Sequence, residues 1–106
     1  MREYLCEFFA TVITILLVLY SYKYFKNYHL LVFLGLVAAA VGTYFSYLLG
    51  GYGNSNPLVT FSSWLNSEIT THRLFWYIGV QILGVLFAIG IYKLLNLTKS
   101  IEKDAE

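Results

Sequence analysis

Charged residues are scarce in this sequence. They make up 12% of its 106 positions, about half the share that is typical of a soluble domain. Seven Lys and Arg stand against six Asp and Glu, a formal net charge of +1, so the chain lacks the basic face that nucleic-acid binding requires. Hydrophobic residues make up 58% of the chain. This composition excludes a nucleic-acid-binding protein, argues against a water-soluble enzyme, and predicts an integral, multi-pass membrane protein with the lipid bilayer as its surroundings.

Cysteine and proline each occur once, at Cys6 and Pro57. A single cysteine excludes an intrachain disulfide, and no Cys and His residues have the spacing of a structural zinc site. His29 and His72 fall at the ends of predicted spans, where we expect solvated side chains. We therefore expect no catalytic residue, no metal site and no cofactor.

A segment without charge, residues 27–67, organises the middle of the chain. About 20 helical residues cross a bilayer core of about 30 Å, so these 41 residues are too many for one span and too few for two with a turn. The segment breaks at residues 50–57, GGYGNSNP, which has turn chemistry. Before the break, residues 30–49 form a full-length apolar span.

After the break, residues 57–66 predict a helix of about 15 Å, which reaches only half-way through the hydrocarbon. Asn56 is its expected N-cap and Pro57 its first residue. A non-helical loop at membrane depth must be buried in protein or line a water-filled cavity. The alternative is that residues 50–73 form an extramembrane loop and the Asn-Pro pair only caps a surface helix.

Two further spans are predicted at residues 4–22 and 74–95. Glu7 is the only Asp, Glu, Lys or Arg in the first. A signal peptide is the competing interpretation of that segment, but the run is long and no small-residue cleavage pattern follows it. Residues 96–106 predict a polar C-terminal tail, the end of a helix that frays in solvent. The expected fold is an all-α membrane protein with three transmembrane helices and one re-entrant half-helix.

Three motifs in order carry a resemblance to a known family. Residues 56–60, Asn-Pro-Leu-Val-Thr, resemble the Asn-Pro-Ala-Val-Thr box of the aquaporins and glycerol facilitators, the major intrinsic proteins. Residues 7–11 resemble the Glu-Phe-x-x-Thr element of that family's first helix, and residues 77–88 resemble its third-helix pattern of Tyr, Ala-Gln-x-x-Gly and a later Ala. The resemblance implies one half of the family's fold over residues 1–95, an aquaporin-like half-channel.

The family resemblance implies a passive channel for water or small neutral solutes such as glycerol, assembled from two half-channel chains. In the family, two half-helices meet tip to tip at the middle of the membrane. By resemblance, the pore-lining residues are Asn56, Pro57, Leu58, Val59 and Asn54, and the residues that support the loop are Glu7, Gln81 and Thr11. The expected partner is a second copy of the chain, so that one antiparallel dimer forms each pore. Higher oligomers of such dimers are also compatible with the resemblance.

Several alternatives stay open at this point. Asn56 is a simple N-cap in one of them, and Glu7, about a turn into its span, is an interfacial carboxylate that reaches water. Leu58 stands where the box has alanine, and Val59 stands where an arginine usually follows the family's second box, so a filter built from two copies is expected to be less polar. The alternative functions are a non-conducting aquaporin-like structural or interaction protein and a half-subunit that requires a different, complementary half.

Small residues recur every four positions on the predicted spans, which places them on one helix face where backbones approach closely. The helix-packing residues are Ala38, Gly42 and Ser46 on the second span, in a series that ends with Gly50, and Gly84 and Ala88 on the third. We expect both series to mediate helix contacts within the half-channel, including the docking of the half-helix.

The lysine and arginine residues are divided unevenly between the two expected membrane faces. Arg2 and Arg73 lie on the side of the N-terminus and the half-helix loop. The other side carries Lys23, Lys26, Lys93, Lys99 and Lys103. The positive-inside rule places the second side in the cytoplasm, but an antiparallel pair requires chains inserted both ways. We expect mixed insertion.

Overall fold

The protein is described by a computed structural model over residues 2–105, which contain helices and no strand. The four helices are α1 (Arg2–Tyr24), α2 (Tyr28–Leu49), α3 (Pro57–Leu65) and α4 (Thr71–Ala105). Three stretches are long and apolar enough to cross a membrane: α1, α2 and the part of α4 from Thr71 to Lys99. The expected all-α membrane protein with three spans and one short helix is confirmed.

The three long helices extend beyond the predicted apolar spans. α1 adds two residues at each end of 4–22, and α4 begins at Thr71 rather than residue 74. α4 then continues as helix through residues 96–105, where the sequence predicts a fraying tail. That stretch contains neither glycine nor proline, so nothing in its backbone chemistry ends the helix.

The ends of α2 follow from local capping. The Asn27 side chain accepts a hydrogen bond from the Leu30 amide at 3.2 Å, as an N-cap does. Gly50 follows the helix with φ of 95°, and its amide donates to the Ser46 and Tyr47 carbonyls. Because glycine adopts this left-handed conformation without steric cost, Gly50 ends α2 and starts the loop that leads to α3.

α1 is the central helix of the bundle. Both α2 and α4 pack on α1, and α3 packs on α4. Within the described residues α2 packs on no other helix, so its small residues serve the contact with α1 rather than the docking of α3. An added Cβ at Gly42 would collide with the Thr14 side chain of α1. A Cβ added at Gly84 would lie 2.9 Å from Thr11 Cβ, which is also too close.

The interior of the bundle is more polar than its surface. The buried polar side chains are Glu7, Thr11, Ser46, Asn54, Ser55, Thr60 and Gln81. Large apolar side chains cover the outside, with Leu36 68% exposed and Leu83 61% exposed. An apolar surface of this extent suits hydrocarbon and not water. The polar interior surrounds the loop before α3, so the loop is where the fold concentrates its hydrogen bonds.

We expect Gly84→Ala to weaken the α1 and α4 contact, because the new methyl group would also lie 3.2 Å from the Phe8 carbonyl oxygen, which cannot move away easily. The expected loss is about 1–3 kcal/mol of unfolding free energy. Gly90→Ala is the matched control on the same helix, since a Cβ there meets nothing within 4 Å and gains up to about 1 kcal/mol of helix propensity. Thermal unfolding in detergent measures both, and equal shifts for the two variants would contradict this packing.

Candidate functional site

α3 begins at a well-formed N-cap. Asn56 has extended backbone angles, φ −125° and ψ 125°, and its Oδ1 accepts a hydrogen bond from the Leu58 amide at 2.9 Å. Pro57 occupies the first helical position, where a missing N–H costs nothing. The helix runs for nine residues, about 14 Å, which is less than half of a bilayer core of about 30 Å. α3 is therefore too short to span a membrane.

The loop before α3 is tightly packed against α1 and α2. A Cβ at Gly51 would lie 2.5 Å from Glu7 Oε1 and 2.7 Å from Ser46 Oγ. Gly53 has φ of 78°, a left-handed conformation that other residues rarely adopt. Glycine is thus required at position 51 by close approach and at position 53 by backbone geometry.

Glu7 supports this loop from α1. Its side chain is fully buried, and Oε1 accepts hydrogen bonds from the Ser46 hydroxyl at 2.6 Å and the Tyr52 amide at 2.9 Å. Ser46 Oγ in turn accepts from the Gly53 amide at 3.0 Å. The alternative of an interfacial carboxylate that reaches water is therefore wrong: α2 and the loop cover Glu7 completely.

Gln81 and Thr11 hold the other side of the loop. Gln81 Nε2 donates to the Asn54 carbonyl at 2.6 Å and to Thr60 Oγ1 at 2.8 Å. The Thr11 hydroxyl lies 2.8 Å from the Glu7 carbonyl and 3.4 Å from the Ser55 carbonyl. The structure thus brings Glu7, Gln81 and Thr11 around a single loop, although they come from two different helices.

Two hydroxyl residues have roles that the sequence pattern did not assign to them. Ser46 stands in a series of small residues, yet it bridges Glu7 and the Gly53 amide. The Thr60 hydroxyl donates a hydrogen bond to the Asn56 carbonyl and accepts one from Gln81 Nε2. For Ser46, the available signal was a hydroxyl in a series otherwise made of Ala and Gly. The series lies on a predicted span, next to another span that carries the acid Glu7.

The residues expected to line a pore differ in exposure. Leu58 is 75% exposed and Val59 39%, whereas Asn54 is only 4% exposed. Pro57 is exposed as well, and Asn56 is half-buried. Asn56 uses Oδ1 as the cap, and its Nδ2 group donates no hydrogen bond to the residues described. The first turn of α3 therefore presents one amide donor and three apolar side chains to its surroundings.

Three buried acceptor atoms around the loop have no hydrogen-bond partner within the described chain: Glu7 Oε2, Asn54 Oδ1 and Gln81 Oε1. In the same part of the chain no group of three His, Cys, Asp or Glu residues is placed to hold a metal ion. The site consists of backbone groups, amides, hydroxyls and the Glu7 carboxylate. These groups donate and accept hydrogen bonds.

Comparison with protein families gives one match. The model of the major intrinsic protein family matches residues 1–105. Comparison with curated proteins gives no match, and neither does comparison with solved structures. The family match covers the whole supported loop, α3 and all three spans.

Proposed function

Since the chain belongs to the major intrinsic protein family, whose members are membrane channels and not enzymes, we propose that it forms a passive channel for water or small neutral solutes such as glycerol. Each pore contains two copies of the chain in opposite orientations. The observation that carries the proposal is α3, a helix too short to span the membrane that begins at a loop held by Glu7, Gln81 and Thr11.

The electrostatics of α3 favour neutral solutes. A helix N-terminus carries about half a positive charge, and two such ends that meet at the pore centre repel cations and protons. Water or a polyol crosses that point by exchanging hydrogen bonds with the Asn56 amide of each chain. Leu58 and Val59 make the rest of the constriction apolar.

The content of the given sequence supports the proposal of an antiparallel pair. The sequence contains a single Asn-Pro pair, and one half-helix covers only half of the membrane thickness. A second copy related by a two-fold axis in the membrane plane supplies the opposite half-helix. We assign the contact with that copy to the first turn of α3, where Leu58 is 75% exposed.

Osmotic swelling of vesicles that contain only this chain tests the proposal. We expect water or glycerol flux above that of protein-free vesicles of the same lipid. Absence of added flux would eliminate the homomeric channel. It would leave the non-conducting interaction protein and the half-subunit that requires a complementary half.

Mixed insertion is tested separately by labelling a thiol. Cys6 is unsuitable because it is buried and its Sγ donates to the Leu49 carbonyl at 3.0 Å. The exposed residue Asp104 replaces it, as Asp104→Cys in a Cys6→Ser background. We expect an impermeant maleimide to react from both faces of the membrane in which the chain is made.

The charge distribution opposes that result. Arg73 pairs with Glu3 at one end of the bundle, and Lys23 donates to Asn96 Oδ1 at 2.7 Å at the other. Only two basic residues belong to the first end and five to the second. Labelling from one face only, together with flux in those membranes, would contradict the antiparallel homodimer and require a partner that supplies the opposite half.

A further inference from the structure

The C-terminal turns of α4 extend beyond the membrane. α4 is 35 residues long, about 52 Å, whereas a bilayer with its headgroups is about 40–45 Å thick. Tyr20 and Tyr92 pack with ring centroids 5.2 Å apart, and Lys23 donates to Asn96 Oδ1 at 2.7 Å in the same region. Aromatic and basic side chains of this kind mark a membrane surface. The part of α4 that follows Asn96 therefore lies in water.

Apolar side chains nevertheless continue along this part of α4. Leu94, Leu97 and Ile101 follow one another at spacings of three and four residues and are 62%, 58% and 61% exposed. Such a 3-4 spacing places side chains on one helix face, as in a coiled coil. We call these three residues the tail seam. The same spacing runs back into the membrane-spanning part of α4 through Leu83, Phe87 and Gly90.

The tail seam faces away from its own bundle. The side of α4 that contacts α1 is marked at this level by Asn96, which bonds to Lys23 of α1. Since an α-helix turns by about 100° per residue, Leu94 lies about 160° and Ile101 about 140° around α4 from Asn96. Lipid covers exposed apolar side chains inside a bilayer, but it cannot cover those that lie in water. The tail seam therefore requires a protein partner.

We infer that the tail seam pairs with the tail seam of a second copy inserted in the same orientation, as a parallel two-stranded coiled coil. Leu94 and Ile101 occupy a positions and Leu97 a d position, and an isoleucine at a with a leucine at d favours two strands. The pair is self-complementary, because each copy contributes the same apolar face. It ends after Ile101, since Asp104 takes the next place in the series.

The charges of the tail permit this pairing. Residues 93–106 contain three lysines and three acidic residues, so two tails side by side carry no net charge that repels them. Lys93 lies beside the seam at a g position and faces Thr98 of the second copy at an e position. No two like charges therefore meet across the seam.

The tail pair is different from the pair proposed to form one pore. Those two copies have opposite orientations, so their tails lie on opposite faces of the membrane and cannot meet. The tail seam instead joins chains of neighbouring pores, or any two chains inserted the same way. It forms whether or not the chain conducts.

Disulfide cross-linking in native membranes tests the tail pair. Ile101→Cys and Lys99→Cys, each in a Cys6→Ser background, are oxidised with copper phenanthroline. Lys99 is exposed two residues away but points about 160° from Ile101 around the helix, which makes it the matched control. We expect about fivefold more covalent dimer for Ile101→Cys than for Lys99→Cys, because only the seam positions approach each other.

A second substitution tests whether the apolar contact holds the pair together. Leu97→Asp, added to Ile101→Cys, is expected to lower the yield of dimer about threefold or more, because it places a charge in the seam. Lys99→Asp in the same background is the control and is expected to leave the yield unchanged. Osmotic swelling by these variants reports the pore separately, since the tail lies outside it.

Four results would overturn the tail pair. Equal yields at positions 99 and 101 would indicate random collision, and absence of dimer at position 101 would show that no second copy lies there. An adduct whose mass is not twice that of the chain would assign the seam to another protein. Protection of the position-101 thiol from an impermeant maleimide, without dimer, would assign the seam to the lipid surface.

Discussion

Glu7→Ala is expected to lower the unfolding free energy of the detergent-solubilised protein by about 1–3 kcal/mol. The change removes the acceptor of two hydrogen bonds, from the Ser46 hydroxyl and the Tyr52 amide. It leaves the buried Ser46 hydroxyl and the Tyr52 amide of the loop without their acceptor. Glu7→Gln retains a carbonyl oxygen at that place and is expected to recover part of the loss. Thermal unfolding monitored by circular dichroism measures each variant.

Gln81→Ala is expected to cause a similar loss, because it leaves the Asn54 carbonyl without the donor now 2.6 Å away. Leu17→Ala is the control on α1, since Leu17 is 41% exposed on the outer surface and takes no part in the loop. Equal losses for Glu7→Ala, Gln81→Ala and Leu17→Ala would contradict a stabilising role for these hydrogen bonds and reduce all three to general effects of side-chain removal.

Leu58→Ala is expected to raise permeability, because it removes an apolar side chain from the first turn of α3 and admits more water to the constriction. A barrier lowered by about 1.4 kcal/mol corresponds to a tenfold faster flux, which we take as the upper end of the effect. Asn56→Asp is expected to impair selectivity or assembly, since it places a negative charge where two helix N-termini meet. Stopped-flow swelling in matched vesicles measures both.

Leu65→Ala provides the control for Leu58→Ala. Leu65 is 73% exposed, much like Leu58, and lies at the opposite end of α3. Its replacement by alanine is the same chemical change. We expect Leu58→Ala to raise permeability and Leu65→Ala to leave it unchanged. Unchanged flux in both Leu58→Ala and Asn56→Asp would mean that the first turn of α3 does not line the pathway.

Much of this architecture can be predicted from residues that are close together in the sequence. The charge-free stretch, the turn sequence at 50–57 and the Asn-Pro cap together predict a short helix at position 57, and α3 begins there. The reason is that caps and turns depend on residues close in sequence. By contrast, the tail was expected to fray over residues 96–106, whereas α4 continues to Ala105, because hydropathy marks the membrane boundary and not the end of a helix.

The contacts between elements were harder to anticipate. The family resemblance indicated Glu7 and Gln81 as supports for the loop, whereas the hydroxyl of Ser46 was read only as a small residue for packing. Its second role depends on α2 and the loop meeting at Glu7, which no spacing along the chain encodes.

The central claim is that the N-terminal ends of two α3 helices from opposed chains meet, and a cross-link between chains tests it most directly. Leu58→Cys and Leu65→Cys, each in a Cys6→Ser background, are treated in native membranes with a short bis-maleimide. Both positions are exposed on α3, at 75% and 73%, but only position 58 lies at the proposed meeting point. We expect a covalent dimer for Leu58→Cys and none for Leu65→Cys. Monomer alone for Leu58→Cys, or dimer at position 65 only, would contradict it.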